Sequence, residues 1–95
     1  MSMIIDAQRQ RLMKKILSSV SQEEVKHIID TVMRELDDQK INGYSIVLFV
    51  DKMTVELEQL NPMDKTVDEW ASIKTARMYF NQIRRRLETE PFHKN

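Results

Sequence analysis

The residues of this sequence whose chemistry reaches beyond packing are two histidines, adjacent carboxylate pairs and a basic run near the C-terminal end. His27 stands one helical turn from Glu23 and from Thr31, off the apolar stripe of its own segment, and His93 stands far from it near the end of the chain. His93 falls in the expected tail, so a two-His metal site would need an ordered terminus that nothing in the sequence predicts. The pairs Glu23/Glu24 and Asp37/Asp38 diverge by 100° on a helix, unlike the inward Glu-x-x-His pairs of di-iron bundles. One Gly in 95 residues excludes the glycine-rich loops that cradle phosphates, and the absence of Cys excludes a thiolate nucleophile and disulfides. The serines fall at expected helix boundaries, where capping employs them. These residues predict a chain that is not an enzyme and takes no cofactor, metal or small-molecule substrate.

The basic residues carry a more coherent pattern. Between Lys74 and Leu87 there are five basic residues and no acid. The triplet Arg84, Arg85, Arg86 fans out around a helix and cannot meet one surface. Lys74, Arg77, Asn81 and Arg84 or Arg85, however, form a stripe with Trp70 at its head, a spacing suited to phosphates and a stacked base. Arg9 and Arg11 would enlarge the patch if the first and last helices are neighbours. The competing reading pairs these cations with acids of adjacent helices such as Asp51, Glu56 and Glu58. Overall charge favours neither, because 15 basic residues balance 15 acidic ones. Helix-turn-helix recognition fits poorly, since the lone Gly follows a helix of about five turns rather than a short one.

The elements that would hold these residues are helical. Val25, Ile28, Ile29, Val32, Met33 and Leu36 mark one buried face over Ser21 to Lys40. Ser21 and Glu24 fit a capping box, Val20 and Val25 a hydrophobic staple, and Asn42-Gly43 a helix stop. Leu12, Met13, Ile16 and Leu17 predict a first helix from Ile5 to Ser18, with Asp6 as a cap. Tyr44 to Val50 is rich in strand-forming residues. Yet Ile46, Val50, Met53, Leu57 and Leu60 keep a helical rhythm through it, and a lone strand has no partner, so a third helix is expected up to Asn61-Pro62. The last helix begins at Pro62 or at Thr66, which makes a second capping box with Glu69, and buries Ile73, Ala76, Phe80, Ile83 and Leu87. The expectation is all-α: a small antiparallel bundle of about four helices in one domain, 1–90, followed by a flexible tail, 91–95, that begins with Pro91. No stretch reaches the roughly 18 apolar residues of a membrane span, and Met1 to Ile5 is too short for a signal peptide, which predicts a cytoplasmic protein with no membrane partner.

Apolar residues remain once that core is assigned. Val47, Leu48 and Val55 point away from the inner face of the third helix, and Val67, Ala71 and Met78 from that of the fourth. Surplus apolar surface on so short a chain predicts a partner. The reading is a homodimer built on the third helix with help from the fourth, through Val47, Leu48, Val55, Val67, Trp70 and Met78, and a regulatory, adaptor or assembly role through protein binding. The alternative is a nucleic-acid-binding accessory protein, or an adaptor for an acidic partner, acting through Lys74, Arg77, Arg84, Arg85 and Arg86. The methionines, among them Met33, Met53, Met63 and Met78, are read as core filling.

Overall fold

The chain divides where its capping side chains fall. The computed structural model describes residues 2–89, with side chains from 6 to 88; the expected tail with Pro91 and His93 lies outside the described residues. Over that range the elements are α1 Ser2–Leu17, α2 Gln22–Asp38, α3 Gly43–Glu58, a 3₁₀ turn Pro62–Asp64 and α4 Val67–Thr89, with no strand among the described residues. No helix in it is long and apolar enough to cross a membrane.

Thr66 and Glu69 form the reciprocal capping box: Glu69 N–H donates to Thr66 Oγ1 and Thr66 N–H to Glu69 Oε1, each at 3.0 Å. Of the two expected starts the helix uses Thr66, while Pro62 begins a separate 3₁₀ turn that Asn61 caps through Met63 N–H at 2.9 Å. At α2 the box is displaced. Glu24 N–H donates to Ser21 Oγ at 3.1 Å, but the Glu24 carboxylate accepts from Val20 N–H at 2.8 Å. That contact holds the Val20 backbone with its side chain outward, 89% exposed, so the expected staple on buried Val25 is not made.

The stop after α2 also differs from expectation. Lys40, at φ 60°, is the left-handed residue, with its N–H donating to Asp37 O at 3.0 Å and Ile41 N–H donating to Leu36 O at 3.1 Å, the Schellman arrangement. Gly43 has no positive φ and is the first residue of α3, capped by Asn42, whose Oδ1 accepts from Ser45 N–H at 2.8 Å. The left-handed residue must follow the helix end directly, and Gly43 stands too far along to serve. A Cβ in the left-handed region is unfavourable, so Lys40→Gly is expected to raise stability by about 0.5 to 1 kcal/mol. Urea unfolding followed by circular dichroism checks this, and an unchanged or lower midpoint counts against it.

The segment 44–50 is helical throughout, since α3 gains more by burying Phe49, Val50, Met53, Thr54 and Leu57 on one side than its strand-formers would gain unpaired. α4 packs against each of the other three helices, whereas α2 and α3 make little contact with each other. The core draws on all four, with Leu12, Ile16, Ile29, Phe49, Ile73 and Phe80 among its fully buried members. Ser72 Oγ donates to Ser19 O at 3.3 Å, tying the start of α4 to the end of α1, so these two run antiparallel.

Candidate interaction surface

Two contacts with neighbouring helices orient α4. Arg84 Nε lies 3.1 Å from Asp51 Oδ1 of α3, and Tyr79 Oη donates to Asp30 Oδ1 of α2 at 2.5 Å. Positions 67, 71, 74, 78, 81 and 85 fall between those two directions at 100° per residue and so face away from both neighbours. On that face Val67 is 86% exposed and Met78 52%, with Ala71, Lys74 and Asn81 also exposed. Ala71 forms a low ridge between two shallow grooves. One is lined by Pro62, Lys65, Val67, Trp70 and Lys74, the other by Val20, Ser21, Gln22, Asp68 and Thr75. Trp70 is half-buried and packs on the core as well as lining the first groove, so its ring is not an open stacking platform.

On α3 the surplus is smaller. Val55 is 50% and Leu48 39% exposed, while Val47 is half-buried. Tyr44, 73% exposed, continues the Leu48/Val55 stripe one turn toward the start of the helix. Sequence reasoning passed over Tyr44, Val20 and Met63 as surface residues. Tyr44 belongs to the segment whose strand and helix signals conflict, Val20 stands where a staple would use it, and methionine at helical spacing reads as core. Met53 is buried and Met33 half-buried, as that reading requires, but Met63 is 88% exposed and Met78 sits on the outer face of α4, so core filling does not hold for these two. The turn after Pro62 carries Met63 off the inner face of α4 altogether.

The basic residues do not form one open track. Arg84 is held between Asp51 and Glu88, whose Oε2 is 3.7 Å away. Asp51 Oδ1 is shielded from solvent and accepts no well-aligned hydrogen bond, so the Arg84 charge is what compensates its burial. Arg85 and Arg86 also have partners, and Arg86 is near enough to Tyr79 to favour its ionised form. Arg77 is half-buried, while Lys74, Arg84, Arg85 and Arg86 are exposed. Arg9 does not extend a cationic patch, because its guanidinium meets Glu56 at 3.0 Å and Asp6 at 3.3 Å, with its side chain 14% exposed. Arg11 lies instead over the groove between α1 and α2 with Lys15 and His27. Pairing with acids of neighbouring helices, the competing reading of these cations, thus describes Arg84 and Arg9.

Tyr79 had no signal in the sequence. Its hydroxyl bridges α4 to Asp30, and Lys26 Nζ stands 6.0 Å from its ring centroid. The hydrogen bond to Asp30 is the main cause of a pKa raised above the ordinary tyrosine value, with burial and the Asp30 charge adding to it and Arg86 opposing. His27 is exposed, and among the described residues no group of three His, Cys, Asp or Glu is placed to hold a metal ion. Comparison of the chain with protein-family models, with curated proteins and with solved structures finds no match.

Proposed function

We propose that this chain is a non-enzymatic binding protein whose first partner is a second copy of itself, the dimer then serving a regulatory, adaptor or assembly role. The observation that carries this reading is the outer face of α4, where Val67 and Met78 remain 86% and 52% exposed after the core is complete. Scattered apolar residues are normal on a surface, but these two share one face of α4 with Ala71 between them, and Val67 and Ala71 line a groove together with Pro62 and Trp70. Leu48, Val47 and Val55 on α3 add to the apolar surface, but their lower exposure moves the weight of the interface from α3 to α4.

Burying a Val or Met side chain contributes about 1.5 to 3 kcal/mol, and a carboxylate in its place stays solvated only if the interface opens. The double variant Val67→Glu/Met78→Glu is therefore expected to weaken dimerisation at least about tenfold while keeping its helical circular dichroism. Leu48→Glu/Val55→Glu is expected to weaken it less. Sedimentation velocity over a concentration series, at low and moderate salt, reads both. A wild-type protein that stays monomeric throughout would overturn the reading. So would co-sedimentation with a labelled duplex at low salt that is lost at moderate salt, the behaviour expected of phosphate contacts made by the basic stripe.

A further inference from the structure

We infer that the groove between α1 and α2 binds a phosphate group, carried by inorganic phosphate or by a small phosphomonoester. The groove shares no residue with the outer face of α4, so the inference is independent of the dimer reading.

Gln8 is the residue that marks the site. It is only 6% exposed, yet its side-chain amide makes no hydrogen bond among the described residues, and its polar atoms are not sealed off from solvent. Buried polar groups ordinarily find partners within the fold, because leaving them unpaired costs free energy. Gln8 lines the groove, above an apolar floor made by Leu12, Ile28 and Val32. Its amide is therefore a donor and an acceptor that a molecule in the groove can use.

Cations gather around it. Arg11 and Lys15 follow Gln8 by three and seven residues and so share its side of α1. Helical side chains lean toward the start of their own helix, which tilts both cationic heads toward Gln8. Both residues are exposed and line the groove, and neither forms an ion pair among the described residues. Arg9, on another side of the same helix, is instead taken up by Asp6 and Glu56. From α2, His27 lines the opposite wall, and an imidazole carries an N–H donor whether it is protonated or not. Thr31 adds no donor, because its hydroxyl already donates to His27 O at 2.8 Å. Glu35 is the one acid of the lining, so Arg11 and Lys15 leave the groove positive even without His27.

The donors and the size of the groove select the ligand. A carboxylate presents two oxygens in one plane, whereas a tetrahedral phosphate turns oxygens toward both walls at once, toward the Arg11 fork and Lys15 on one side and His27 on the other. The groove encloses about 170 Å³. Pockets for drug-sized ligands start at about 300 Å³, so this one has room for a phosphate group while any ester substituent stays in solvent.

The Gln8 side-chain amide, once assigned in a proton–nitrogen correlation spectrum, reports on the site directly. Titration with inorganic phosphate at fixed pH is expected to shift it saturably, and chloride at matched ionic strength to leave it in place. Arg11→Gln/Lys15→Gln is expected to weaken phosphate binding at least about tenfold while keeping its helical circular dichroism, since two charge-assisted contacts are lost at exposed positions. Glu35→Gln is expected to tighten binding by removing the opposing charge. Glycerol phosphate titrated in parallel separates the two sources: tighter binding than inorganic phosphate assigns the site to an ester, weaker binding to the free ion. A Gln8 signal unmoved by both compounds, or moved equally by chloride, would overturn the inference. So would undiminished binding by the double variant, or weaker binding by Glu35→Gln. These spectra do not depend on self-association, so their failure and that of the dimer reading are told apart.

Discussion

Phe80→Ala is expected to lower folding stability by about 4 kcal/mol, most of what a chain of this length holds. Phe80 is fully buried on α4, the helix that touches each of the other three, so the void left by its ring would border several elements at once. Such a site collapses poorly, because a helix that moves to fill the gap must loosen its contact with another neighbour. Urea unfolding at a protein concentration where the chain sediments as a monomer isolates this effect from any association. A loss under about 1 kcal/mol would mean that the ring is not enclosed as described.

The second large effect lies on α3, where two neighbouring residues should respond very differently. Phe49 is 1% exposed and Leu48 39%. In the monomer Phe49→Ala is expected to cost about 3 to 5 kcal/mol and Leu48→Ala under about 1 kcal/mol. The contrast tests the orientation of α3, the helix whose apolar residues run furthest around its circumference. Comparable losses would show that α3 is rotated about its axis, with Leu48 turned inward.

Those neighbours also show where the sequence was legible and where it was not. α2 is plain, because four inner residues, Val25, Ile29, Val32 and Leu36, are buried against a polar remainder, and period alone locates its face. α3 begins with Tyr44, Ile46, Val47, Leu48, Phe49 and Val50, and a helix that is apolar on every side has no face until its neighbours are known. A heptad drawn through Ile46, Val50, Met53 and Leu57 finds most of the buried side but leaves out Phe49, which turns toward the bundle from its edge. The caps were legible where both partners were local, as with Thr66 and Glu69. They were misread where the backbone took a choice that composition does not announce, as when Lys40 rather than the lone Gly adopted the left-handed conformation. The surface surplus on α4 could be read from the wheel, because Val67, Ala71 and Met78 stand opposite Ile73, Ala76 and Phe80. The fate of the arginines could not, since the pairing of Arg84 with Asp51 and of Tyr79 with Asp30 depends on how helices far apart in the chain are set side by side.

The central place of α4 bears on how the molecule comes into being. Its bonds to earlier helices span long stretches of chain, 53 residues from Ser19 to Ser72 and 49 from Asp30 to Tyr79. A polypeptide emerging from the ribosome presents α1, α2 and α3 first, and of these α2 and α3 make little contact with each other. Until α4 follows, their inner faces lack the surface that completes the core, and loops of that length must close before the contacts that reward closure exist. α4 follows the other three in the chain and is the one on which they assemble, so completion of the core is expected to wait for it.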